Sequence, residues 1–145
     1  MAKSTSYKNA YMLLIFNNTA YTLLGDANGL AATGAPGSLY VSLHTADPTA
    51  GDQTTSEAAY TSYDRVAVAR SGAGWTVAAN AVSNAAAVTF PACTGSTAAC
   101  TYFGVGTSAT AAGKLMYSGL LTAQLDVSNG ITPEFAIGDL DIDES

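Results

Sequence analysis

Residues 39–48 read Leu-Tyr-Val-Ser-Leu-His-Thr-Ala-Asp-Pro. Leu39, Val41 and Leu43 alternate with Tyr40, Ser42 and His44, the period-2 pattern of a strand with one buried face. Pro48 ends the strand, because it offers no backbone N–H and holds Asp47 in extended or turn geometry. Before this stretch the chain reads as a helix and a loop. After it the chain reads only as short strands, so the fold class is mainly β.

Upstream, Ser4 or Ser6 can cap a helix carrying Tyr7, Ala10, Tyr11, Leu14 and Ile15 at helical spacing. Asn17-Asn18 closes it, and a short strand over Met12–Phe16 is the alternative. The segment Gly25–Ser38, with Pro36 and several glycines, reads as a loop. Ala46–Ser62 is a second loop, polar and threonine-rich, and its 17 residues exceed an ordinary connection, which points to a contact role.

Downstream, Tyr63–Ala69 predicts a strand with Val66 and Val68 on one face. Ser71–Gly74 turns the chain into Trp75-Thr76-Val77, and Ala86–Phe90 places Val88 and Phe90 on one side. Thr101, Phe103 and Val105 alternate with Tyr102, Gly104 and Gly106, and Leu115, Tyr117 and Leu121 share a face after Ala111-Ala112-Gly113. Ala123, Leu125 and Val127 then predict a hairpin with Ile131, Pro133 and Phe135. A three-residue loop, Ser128-Asn129-Gly130, keeps its faces unmixed by setting Val127 opposite Ile131 and Leu125 opposite Pro133. Pro133 then needs an edge or non-bonded position. Past Ile137 the apolar phase slips to Leu140 and Ile142, with Gly138 at the slip marking a bulge or bend. Together these predict an antiparallel β-sandwich or jelly roll of about eight strands with a short N-terminal α-helix. One domain over 1–145 is expected, with a helical segment at 1–24 and the sandwich at 39–145.

A chain of 145 residues buries enough surface to fold without a metal or disulfide. Only 11% of it is charged, against about 25% in ordinary domains. Its surface is therefore largely Ala, Gly, Ser and Thr, which is cheap to desolvate against a partner. The net charge of −6 and the scatter of Lys3, Lys8, Arg65, Arg70 and Lys114 argue against nucleic acid. No apolar run approaches the length of about 18 residues that spans a membrane, and Met12–Phe16 does not make a secretion signal. A soluble product of the cytoplasm is expected.

Chemistry-bearing residues are few. His44 is the one histidine, with Ser42 and Asp47 nearby in sequence, but neighbours along one strand do not suggest a convergent triad. One His and two Cys lack zinc spacing. Cys93 and Cys100 read as free thiols, with a loop-clipping bridge worth about 2–2.5 kcal/mol as the alternative. Asp139, Asp141 and Asp143 read as a solvated edge that repels strand addition, with calcium binding as a weaker option. Gly104-Val105-Gly106 is too short for a dinucleotide loop. Trp75 and the eight tyrosines are core and interface anchors or, alternatively, a sugar platform. No catalytic, cofactor-binding or metal-binding residue is assigned.

The motifs stand in one order along the chain: Asn-Asn-Thr-Ala-Tyr-Thr at 17–22, the stretch at 39–48, Tyr63-Asp64-Arg65-Val66-Ala67-Val68, and Asn84 through Phe90-Pro91-Ala92. Phe103-Gly104-Val105-Gly106 and Gly113-Lys114-Leu115-Met116-Tyr117-Ser118-Gly119 follow. This order resembles a family of small tailed-bacteriophage virion proteins often labelled tail fibre proteins, and is similar to the jelly-roll cement or decoration proteins of some phage capsids. The Gly25–Ser38 insert and the cysteine-flanked loop depart from that pattern. The resemblance implies a non-enzymatic structural protein, made in the host cytoplasm, that binds the outside of the capsid and stabilises contacts between major capsid proteins. Self-association as a dimer or trimer on the shell is implied too, without nucleic acid, membrane or cofactor. Contacts are expected from Ser4–Phe16 and Ala46–Ser62, with Tyr7, Tyr11, Met12, Phe16, Thr54 and Tyr60 as interface candidates. The alternative is a tail fibre or receptor-binding module that recognises cell-surface glycans through Trp75 and exposed tyrosines.

Overall fold

The computed structural model describes residues 1–25 and 29–145; residues 26–28 of the loop expected at Gly25–Ser38 lie outside the described residues. The described residues hold one helix, α1 (Thr5–Asn17), and nine strands. These are β1 (Ser38–His44), β2 (Val66–Ala69), β3 (Trp75–Ala78), β4 (Ala81–Asn84) and β5 (Val88–Thr89), then β6 (Ala98–Gly106), β7 (Leu115–Val127), β8 (Glu134–Phe135) and β9 (Asp141–Asp143). The pairings β1–β6, β6–β7, β3–β4, β4–β9 and β5–β8 are all antiparallel. The fold is mainly β with one short N-terminal helix, as the strand pattern predicts. The chain divides into two compact units interleaved along the sequence: Met1–Ser38, Ala69–Ala87 and Ala136–Ser145 form one, Leu39–Val68 and Val88–Phe135 the other.

In the first unit α1 lies on a three-stranded sheet of order β3-β4-β9. Ser4 caps the helix from an extended backbone, its hydroxyl accepting from Tyr7 N at 3.3 Å, which satisfies an otherwise unpaired N-terminal donor. Asn18 ends it in the left-handed conformation, φ +52°, and its side-chain amide grips both the N–H and the C=O of Thr33. Arg70 completes the end: its guanidinium donates to the carbonyls of Leu14, Ile15 and Pro36. A cation at a helix C-terminus also meets the negative end of the backbone dipole. The buried face of α1 is Met12 and Phe16, one turn apart, rather than the Tyr7–Tyr11–Leu14 line. Phe16 meets Trp75 edge-on, centroids 5.0 Å apart, with Val82, Leu140 and Ile142 also buried in this unit.

Strand β4 was not expected. It returns from β3 through Ala79-Asn80, where Ala79 takes φ +57°, and its end is fixed by the buried Asn84. Asn84 donates to the Ala86 and Ala136 carbonyls and accepts from Leu140 N, each near 2.8–2.9 Å. The slip at Gly138 is the predicted bend: Gly138 has φ +82°, and Asp139 N donates back to Ala136 O. The turn carries the chain into β9, where Ile142 is buried between exposed Asp141 and Asp143.

In the second unit a four-stranded sheet runs β2-β1-β6-β7. Leu43 faces Phe103 and Val41 faces Val105 across β1 and β6, so these side chains share one face. The β5–β8 ribbon covers that face: Phe135 meets Phe103 and Phe90 edge-on at 6.1 Å, a sandwich-like pairing of layers. The opposite face differs from expectation. Ser42 and His44 are fully buried, because residues 52–58 fold back over them, with Thr45 N bonded to Ser56 O and Ala58 N to Leu43 O. The strand pattern shows its inner face but is silent about a cover drawn from elsewhere in the chain. Glycines make room for that cover. A Cβ on Gly104 would stand 2.6 Å from His44 Nε2, and one on Gly106 would stand 2.1 Å from the buried Gln53 side chain.

The predicted hairpin between 123–127 and 131–135 does not form. Residues 123–127 are the tail of β7 and pair with β6, Val127 opposite Ala98 and Leu125 opposite Cys100. Residues 130–135 run instead beside 88–93, with Phe90 N bonded to Pro133 O and Cys93 N to Ile131 O. Gly130 does adopt the left-handed conformation, φ +88°, in a turn closed by Ile131 N to Ser128 O.

Candidate functional site

The six interface candidates separate into two groups. Tyr7, Tyr11 and Thr54 reach the surface, whereas Met12, Phe16 and Tyr60 are buried in the cores. Met12 and Phe16 hold α1 to its sheet. Tyr60 packs edge-on against Tyr63 and donates to Pro91 O at 2.9 Å; burial pushes its phenol up to about 12. These three therefore offer no docking surface in this fold. Thr54 is exposed but turned inward on its own loop, its N–H and hydroxyl both donating to Asp52. Trp75 is fully buried, so it cannot serve as a sugar platform.

What remains at the surface of the first unit is a tyrosine cluster. Tyr7 stacks on Tyr11, rings 3° from parallel with centroids 6.4 Å apart, and meets the Tyr21 ring edge-on at 5.9 Å. Beside them opens a hollow of about 440 Å³ walled by Tyr7, Leu13, Tyr21 and Leu23 and rimmed by Ser6 and Asn9. Aromatic faces next to hydroxyl and amide groups can take an apolar or a saccharide partner. Sequence reasoning placed Tyr7 and Tyr11 here through helical spacing but missed Tyr21, whose position depends on its bridge to Leu30.

His44 comes closer to Ser42 than expected. Because side chains two apart on a strand share a face, Ser42 Oγ and His44 Nε2 lie 2.8 Å apart, a pair without the third member of a triad. Nδ1 lies 2.8 Å from the Thr55 carbonyl, which can only accept, so Nδ1 carries the proton and Nε2 accepts from Ser42. Asp47 takes no part, its carboxylate being occupied by Thr49. Both members of the pair are fully buried, so no substrate carbonyl can reach Ser42 Oγ, and burial holds the imidazole pKa below its ordinary value. Nearby, Glu57 receives a two-pronged bond from Arg65 (2.6 and 2.7 Å) and the Tyr63 hydroxyl, while Arg65 also donates to Ser108 O. These contacts fasten residues 52–58 to the sheet.

Cys93 and Cys100 are both free and buried; Cys93 donates to Gly95 O, and burial pushes the Cys100 thiol up to about 11. Among the described residues no cluster of His, Cys, Asp and Glu is arranged to hold a metal ion, and no helix is long and apolar enough to cross a membrane.

Against known proteins, the chain matches over residues 2–143 the model of the family Gp80, described as podophage GP4 fiber I protein gp80. The chain belongs to this family. No curated protein matches it in sequence. As a member of the Gp80 family it is a structural protein of a bacteriophage virion, in line with the resemblance carried by its motifs.

Proposed function

We propose that this Gp80-family chain is a fibre subunit of a podophage virion that works by docking to other virion proteins and not by catalysis. The observation that carries the reading is the family match across nearly the whole chain. The molecule's chemistry supports it: a surface low in charge, three of its cations engaged within the fold, and a Ser–His pair sealed from solvent. Recognition of cell-surface glycans, where it occurs, falls to Tyr7 and Tyr21 around the hollow and not to Trp75.

The same low-charge surface would suit a cement protein on the capsid exterior, stabilising contacts between major capsid proteins. Immunogold labelling of purified particles separates the two. Labels clustered at the tail or neck are expected; labels spread evenly over the head would replace the fibre reading with the cement one.

A further inference from the structure

Residues 52–58 lie over β1 as a strap with no helix or strand of its own. Its ties are Thr45 N to Ser56 O, Ala58 N to Leu43 O, Gln53 to Ala112 O and Ser108, and the ion pair of Arg65 with Glu57. Beneath the strap the buried His44 ring uses both nitrogens: Nδ1 donates to Thr55 O, and Nε2 accepts from Ser42 Oγ, each at 2.8 Å. Only the neutral ring fits this arrangement. A proton on Nε2 sets two hydrogens face to face, and among the described residues the Ser42 hydroxyl has no second partner to turn to. Nor is there room for a water on the β6 side, where a Cβ on Gly104 would stand 2.6 Å from Nε2 and 2.7 Å from Ser42 Oγ. Two charges act on the ring: Glu57 favours its protonation and Arg65, at the start of β2, opposes it, and the two are spent on each other. The Tyr63 hydroxyl beside them donates to Glu57, and burial keeps that phenol protonated. From β6 the ring is faced by Gly104 and, opposite it in the sheet, by Tyr102; Asp52 on the strap is turned to Thr54.

We propose that His44 is an acid-sensitive latch: a proton on its ring releases residues 52–58 from the sheet while the rest of the second unit stays folded. The strap yields before the sheet because scattered hydrogen bonds and one ion pair hold it, so its local opening costs less than unfolding the unit. Once the strap lifts, the ring meets water and regains its ordinary value of 6.5. The open form therefore binds the proton more tightly than the closed one. Acid below pH 6.5 shifts the balance toward it, by at most about tenfold per pH unit. By the same linkage, a partner that grips only the closed strap is held less tightly in acid. The latch is a property of the second unit, whether the virion carries the chain on a fibre or on its shell, so its failure leaves that question untouched.

The test is amide exchange followed by NMR on the purified chain between about pH 7.5 and 5, read as protection factors so that the intrinsic pH dependence of exchange cancels. His44 is the one histidine, so its ring signals report the proton directly in the same samples. The amides of Thr45, Gln53 and Ala58, which the strap ties engage, are expected to lose protection as His44 titrates, by up to about tenfold per pH unit. Those of Phe90 and Cys93, bonded to Pro133 and Ile131 in the same unit, are expected to keep theirs. In His44→Asn the strap amides should hold their protection across the range. A His44 ring that takes up its proton under a still-protected strap overturns the proposal, as does strap protection that never changes. So does equal loss at Phe90 and Cys93, which would be unfolding of the unit, or an unaltered pH dependence in His44→Asn, which would make Glu57 the trigger.

Discussion

Gly104 is the residue on which the polar face of the second unit depends. An added methyl would meet His44 Nε2, Ser42 Oγ and Leu115 Cδ1 within 2.9 Å. Gly104→Ala is therefore expected to cost about 1–3 kcal/mol, read as a lower urea midpoint at unchanged slope. His44 adds a pH signature. Its folded pKa lies below the ordinary 6.5, so the unfolded chain takes up the proton first. Its contribution is complete above the unfolded value and is lost as pH falls below 6.5, at no more than about 1.4 kcal/mol per pH unit. Asp47 and Asp52, whose carboxyls are held below the usual range by bonds from Thr49 and Thr54, lose theirs only in stronger acid. Stability measured from pH 7.5 to 5 should thus fall for the native chain and stay flatter in His44→Asn; equal slopes would contradict it. At this scale the sequence was only half informative. Alternation around Leu43 exposed the apolar face, but the burial of Ser42 and His44 depends on residues 52–58, whose fold-back no local pattern encodes.

Among the elements, α1 was the most legible, because Ser4 and Asn18 are strong capping residues at either end of a helical run. Its anchor, Arg70, was not legible, since that contact spans more than fifty residues. Arg70→Met is expected to strand three carbonyls, lower stability by about 2 kcal/mol and speed amide exchange in the last turn of α1. Arg70→Lys should recover little, because an ammonium lacks the planar fork that reaches all three. Unchanged exchange would contradict this role. The two misread elements share a cause. β4 is built of Ala81, Val82, Ser83 and Asn84, with one bulky apolar residue and a turn through a positive-φ alanine, so neither periodicity nor turn chemistry marks it. In the expected hairpin, Asn129-Gly130 and the flanking alternation gave a strong local signal. The pairing of 123–127 with β6 and of Glu134-Phe135 with β5 overrode it, and Gly130 kept the conformation without the hairpin.

For the whole molecule, the interleaving of the two units makes the C-terminal segment part of the first unit's core. Leu140 and Ile142 are buried there, and Asn84 bonds into the turn that precedes them. Truncation after Phe135 should remove about 3–6 kcal/mol from that unit and expose it to proteolysis, with the second unit's strands expected to resist longer. Uniform loss of both would contradict a division into two units. Function was legible only in kind. A catalytic centre announces itself through convergent reactive residues, and the sequence offered none in a suitable pattern; a docking surface needs no such constellation. The order of motifs pointed to phage virion proteins, and the family match over 2–143 agrees. The most direct measurement is the number of copies per purified virion, by quantitative mass spectrometry against the major capsid protein. The fibre account predicts on the order of ten copies, set by the low symmetry of a tail; on the order of hundreds, as a shell lattice requires, would contradict it.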